Sequence, residues 1–165
     1  MCCIYDDNGN LIYTKNNRGF EQWNDYDSNN RLIHYKNSSG IEYWYKHDSN
    51  GNLIYFKNSR GFEKWKDYDE NNNIIHYKNS EGFEYWKEYD SNNNEIHYKN
   101  SEGFEVWHEY DKNNNLVHYK DSNKYEEWYE HDSNNVIHLS NFIKLKNSIH
   151  NTISKLVNQL KEKIL

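Results

Sequence analysis

Carboxylates recur along this chain at a spacing that invites acid–base chemistry. Glu63 and Asp67, Glu84 and Glu88, and Glu105 and Glu109 stand four residues apart. Two carboxylates flanking one bond can hydrolyse a glycoside, provided their surroundings pull their pKa values apart. These pairs are copies of one another, so none is singled out for tuning. They describe a surface rather than one active site. After Glu42 the second place goes to Lys46 instead.

Histidine is the other reactive type, with nine in the chain. His34, His76, His97 and His118 occupy equivalent places, which Tyr13 and Tyr55 fill elsewhere. A zinc site brings its ligand nitrogens to about 2.0–2.1 Å from one ion. Equivalent residues of successive hairpins are two strands apart, roughly 9.6 Å, so they cannot share an ion. A column that also takes tyrosine reads as half-buried packing. The sequence has no Gly-rich phosphate loop, nucleophile elbow or CxxC pair. No enzyme, metal or cofactor is expected.

The element that must position these residues is a repeat of 21 residues. Its clearest mark is Trp23, Trp44, Trp65, Trp86, Trp107 and Trp128, with no slip between them. An aliphatic column runs Ile12, Ile33, Ile54, Ile75, Ile96, Val117, and a lysine column Lys15, Lys36, Lys57, Lys78, Lys99, Lys120. Glutamates fill Glu21, Glu42, Glu63, Glu84, Glu105 and Glu126. Glycine recurs from Gly19 to Gly103 and gives way to Lys124. Such fixed-period columns are the signature of a repeat architecture.

Each unit reads as two short strands and two turns. In one unit Leu53 to Lys57 is the first strand, and Asn58-Ser59-Arg60-Gly61 a turn closed by a left-handed residue. The second strand runs from Phe62 to about Tyr68, and the Asp/Asn-rich stretch from Asp69 to Asn73 turns the chain again. Short connections make neighbours antiparallel. Alternation puts Glu63, Trp65 and Asp67 on one face and Phe62 and Tyr68 on the other. Both faces therefore carry aromatic stripes. Either the sheet curls around one of them or one is left out for a partner.

The predicted fold is an all-β repeat. It is an antiparallel meander of about six 21-residue β-hairpins, forming an elongated twisted or coiled sheet with one C-terminal amphipathic α-helix. Residues 1–139 form the hairpin domain and 140–165 the helical tail. The unit at Asp132-Ser133-Asn134-Asn135-Val136 is one turn residue short. Ser140 is placed to serve as an N-cap, and Phe142, Leu145, Ile149, Ile153, Leu156, Leu160 and Ile164 recur at helical spacing, so 141–165 reads as one amphipathic helix. From Asn141 onward five lysines oppose Glu162, a charge of +4 against -10 for the residues before it. Docking of this basic tail over the last strand's open edge is expected. Adjacent Cys2 and Cys3 give no disulfide framework and are read as a frayed end.

The Tyr-Asp pairs at Tyr5, Tyr26, Tyr68, Tyr89 and Tyr110, the Asp48 to Leu53 turn and the later glycine turn resemble the YD repeats of Rhs-type proteins. The resemblance covers about Tyr5 to Leu139. It implies a spiralling β-sheet, which in that family often forms a shell around a toxin. Six and a fraction repeats, with no toxin-like segment after them, are too few for such a shell, so a short freestanding form is expected. The Glu-x-Trp element in every unit is a departure from the family pattern.

That element is the sharper functional candidate. Trp23, Trp44, Trp65, Trp86, Trp107 and Trp128, with Glu63, Glu84, Glu105, Asp67, Glu88 and Glu109, would form an acidic-aromatic face for a protein partner. The plainer reading makes the indoles a stacked core and pairs the carboxylates with the lysine column. A net charge of -6 argues against nucleic acid and for a protein with a basic surface. A glycan-binding module is the alternative and a self-assembling homo-oligomer the third reading. Asn-, Lys- and Ile-rich usage points to an AT-rich genome. A phage or mobile-element inhibitor of a nucleic-acid-binding enzyme would suit it. There is no apolar run of about 18 residues and no signal region in MCCIYDDNGN. The expected place is the cytoplasm, that of the host if the protein is phage-encoded.

Overall fold

The computed structural model describes residues 1–131 and, as backbone, 136–138. The helix expected over 140–165 and its docking lie outside the described residues.

Fourteen strands follow one another: β1 (Cys2–Tyr5), β2 (Leu11–Lys15), β3 (Glu21–Tyr26), β4 (Leu32–Asn37), β5 (Glu42–His47), β6 (Leu53–Asn58), β7 (Glu63–Tyr68), β8 (Ile74–Asn79), β9 (Glu84–Tyr89), β10 (Glu95–Asn100), β11 (Glu105–Tyr110), β12 (Leu116–Asp121), β13 (Glu126–His131) and β14 (Val136–His138). Their order in the sheet is their order in the chain, and every pair is antiparallel. The result is an elongated, twisted, open meander, with β1 and β14 at opposite ends. Cys2 and Cys3 are not frayed. They pair with Lys15 and Thr14, because three or more strands in register stabilise an added one.

The Tyr-Asp pair has a separate task for each residue. Asp69 Oδ1 accepts the backbone N–H groups of Asn71 and Asn73, at 2.9 and 2.8 Å, which closes the turn. Asn72 there is left-handed, with φ 66°. The Tyr68 hydroxyl donates to the Leu53 carbonyl at 3.1 Å, tying the strand end to its neighbour. Tyr89 and Tyr110 repeat that bond to Ile74 and Glu95. The Gly61 turn uses the same device: Asn58 Oδ1 accepts the N–H groups of Arg60 and Phe62. Side chains thus satisfy turn backbone that a thin sheet cannot bury.

Two further ladders join the units. Ser80 donates its N–H to the Glu63 carbonyl and accepts the Glu63 N–H on Oγ, at 2.9 and 3.0 Å; Ser38, Ser59, Ser101 and Ser122 do the same one or more repeats away. Asn52, Asn73 and Asn94 each donate to an asparagine of the next turn.

The aliphatic column is more than strand packing. Asp67 pairs with His76 and Tyr68 with Ile74, so Ile75 is passed over as a bulge. Ile12, Ile33, Ile54, Ile96 and Val117 are passed over in the same way. A bulge bends the strand and increases its twist. His131 pairs with Val136, and the register of β13 on β14 then runs without a shift.

Among the described residues, neither aromatic stripe is enclosed. Val106, at 6% exposed, is the one apolar residue buried among the described residues. Over the described residues the sheet is a single layer whose two faces are half-open, and it does not curl around either stripe.

Candidate functional site

The register fixes which side chains share the tryptophan face. Trp65 lies across from Lys78 on one side and Tyr55 on the other, and Glu63 across from Lys57. The six indoles form one row, each on an odd-numbered strand from β3 to β13. Trp23, Trp86 and Trp107 are 37%, 40% and 37% exposed, and Trp44, Trp65 and Trp128 are intermediate. The indoles do not stack on one another among the described ring pairs. Each rests against the tyrosine or histidine of the strand before it. His76 and Trp86 have centroids 5.3 Å apart and planes 11° apart; Tyr55 and Trp65 are 5.7 Å apart and tilted by 48°.

Glu63, Glu84 and Glu105 border the indoles on one side, with Asp67, Glu88 and Glu109 on the other. The two carboxylates of a strand do not work as a pair. On β9, Glu84 binds His76 of β8 and Glu88 reaches His97 of β10. Each carboxylate thus looks to a different neighbouring strand, with an indole between them.

The lysine pairing holds in alternate units. Lys15–Glu21, Lys57–Glu63 and Lys99–Glu105 are 2.6, 2.9 and 2.6 Å apart. The hydrogen bond to Lys15 holds the Glu21 carboxyl below its ordinary value, as Lys99 does for Glu105. In the intervening units the glutamate turns to histidine. His34 bridges Asp25 and Glu42 at 2.9 and 2.7 Å, and His76 bridges Asp67 and Glu84 at the same distances. His118 bridges Glu109 and Glu126 at 3.1 and 2.9 Å. His97 is the exception, since Lys99 holds Glu105 and leaves its Nε2 buried without a hydrogen bond.

Sequence reasoning treated these histidines as packing and missed the bridges. A signal was present. Acids stand nine residues before His34, His76, His97 and His118, whereas Lys46 stands nine before Tyr55. Lys46 lies over the Tyr55 ring at 5.3 Å, a cation–π contact in place of a carboxylate bond. A hollow of about 950 Å³ opens there, lined by Ile33, Trp44, Ile54 and Tyr55 together with Lys46 and Lys57.

The opposite face is aromatic and less acidic. Tyr77, Tyr85 and Tyr98 make successive contacts at 5.1 and 5.6 Å, and Lys87 lies over two of these rings. The sheet as a whole is a repeat-built surface of aromatic clusters and ion pairs. No group of three or more metal-ligating side chains gathers among the described residues, and no helix there is long and apolar enough to cross a membrane.

No family model matches the chain, and no curated protein does. Solved structures do. In a mutant Photorhabdus luminescens Tc holotoxin pore the match has a TM-score of 0.54 at 15% identity, over 84% of this chain and 10% of the other. In the TcdB2–TccC3 crystal structure it has a TM-score of 0.57 at 14% identity, over 78% and 8%. The chain therefore spans a tenth or less of those proteins. At such identity the likeness is one of fold alone, an Rhs/YD-repeat-like β-sheet.

Proposed function

We propose that this chain is a non-catalytic binding protein whose tryptophan face docks a protein partner with a basic surface. The observation that carries the reading is a row of half-exposed indoles on a one-layer sheet, with an acid on either side of most of them. Exposed aromatic area in register is what interfaces draw their energy from. The lysine and glutamate columns offset each other, so Asp25, Asp67, Glu88 and Glu109 leave the face acidic. A nucleic-acid-binding enzyme is the partner class it suits, because carboxylates can stand where phosphates would. Inhibition of such an enzyme by a phage or mobile-element product, in the host cytoplasm, is the specific role we assign. The solved structures of like fold are components of protein assemblies, which favours a protein over a small ligand.

The test is capture from lysate followed by affinity measurement. Replacing Trp65 and Trp86 by alanine should abolish binding of the captured basic partner, and added salt should weaken it. Capture of no basic protein, with unchanged binding by the double variant, removes the reading. The exposure of Trp23, Trp86 and Trp107 also favours a glycan as the second reading. A glycan would shift indole fluorescence without regard to salt.

A further inference from the structure

His34 and His76 face an arrangement that restricts their protonation. Nδ1 of each meets a carboxylate from the strand before it, and Nε2 meets one from the strand after it. A carboxylate ion only accepts hydrogen bonds, and a neutral imidazole has one N–H to give. Both bonds form together only on the imidazolium. The ring also lies parallel to an indole, at 20° for His34 on Trp44 and 11° for His76 on Trp86, a placement that favours a cation.

We propose that these two rungs are proton-operated and regulate the tryptophan face. Each holds a proton between carboxylates of neighbouring strands; losing it makes the face more negative and tightens its grip on a basic partner, while loosening the sheet. The second half of this rests on the partner reading above.

The surroundings set the direction. Around His34 stand Asp25 on β3, Glu42 on β5, Lys36 on its own strand and Lys46 beyond Trp44. Around His76 stand Asp67 on β7, Glu84 and Glu88 on β9, and Lys78 on its own strand, which lies over Trp65 at 5.3 Å. Burial opposes charge on either ring, but the paired carboxylates outweigh it and leave both pKa values raised. The imidazolium is therefore an internal counter-ion that a partner's cation can replace.

The sequence supplies its own control, because Tyr13 and Tyr55 fill the same column against Trp23 and Trp65. An oligolysine peptide serves as the probe. Its affinity for the native chain should rise about fivefold between about pH 5.5 and about pH 8.5, as expected for two uncovered surface charges. The variant carrying His34→Tyr and His76→Tyr should lose most of that rise. Imidazole resonances of His34 and His76 should titrate at higher pH than a free imidazole side chain. The same rise in both proteins, or rings titrating at the ordinary value, overturns the proposal. Binding that fails at every pH defeats the partner reading and the tightened grip with it, whereas late titration would still support the proton held in each rung.

Discussion

The imidazole of His76 lies flat against the indole of Trp86, with the ring planes 11° apart. Asp67 and Glu84 hold the ring in that plane by bonding its two nitrogens. Stacking and hydrogen bonding therefore depend on each other. Tyr55, which meets Lys46 over its ring face in place of such bonds, tilts by 48° against Trp65.

This coupling predicts how the column responds to substitution. His76→Ala removes the stacked ring and leaves two carboxylates facing a gap. It should destabilise the sheet by about 1–2 kcal/mol, since cross-strand aromatic pairs contribute on that order. His76→Tyr keeps a ring in a slot that accepts one elsewhere, and should cost about 0.5 kcal/mol. Denaturant unfolding of the two variants checks the order.

Stability should fall on both sides of a plateau. His34 and His76 have raised pKa values, so their contribution is complete below the unfolded value and is lost as pH rises through the folded one. The turn aspartates Asp6, Asp27, Asp48, Asp69, Asp90 and Asp111 have lowered values. For Asp69 the Asn73 side chain is the first cause, and for Asp27 the Arg31 backbone N–H. Their contribution is present above the unfolded value and lost as pH falls through the folded one. The melting temperature should peak between about pH 4 and about pH 6.5, the unfolded values of the two types. A melting temperature still climbing at alkaline pH would contradict the histidine half.

Lys124 stands where the other units have glycine, at φ 68°. A side chain in that conformation costs about 1–2 kcal/mol. Lys124→Gly should recover about 1 kcal/mol of it. Gly61→Ala should lose a similar amount, because Gly61 has φ +87° and nothing lies within 4 Å to clash with a new Cβ. Thermal unfolding of both would show opposite shifts.

The tyrosine bonds can be removed singly. Tyr89→Phe deletes a hydroxyl that donates to the Ile74 carbonyl at 3.2 Å and leaves the ring. The loss should be about 0.5–1.5 kcal/mol, the usual net worth of such a bond. Amide exchange should quicken around β8 and β9, in the middle of the sheet, and leave distant hairpins unchanged, as expected when each repeat touches only its neighbours.

Much of this architecture was legible because its causes are local. Asn58 and Gly61 dictate one turn, and Asp69 and Asn72 the other, within five residues each. Alternation along Glu63–Tyr68 set the two faces correctly. The bulge was not legible. Ile75 looks like any strand aliphatic, and only the pairing of Asp67 with His76 and of Tyr68 with Ile74 shows that it is passed over. The histidine rungs were hidden for the same reason. His76 takes Glu84 from eight residues ahead and Asp67 from nine behind, and that asymmetry is produced by the bulge.

The sequence alone determined the repeat, its strand order and the row of indoles, because short turns at a constant period leave the chain one way to pair. The tertiary structure alone decided that the described strands enclose neither stripe, that glutamates alternate between lysine and histidine, and that the acids of one strand serve different neighbours. Those outcomes depend on register and twist accumulated over many strands, and no window one repeat long contains either.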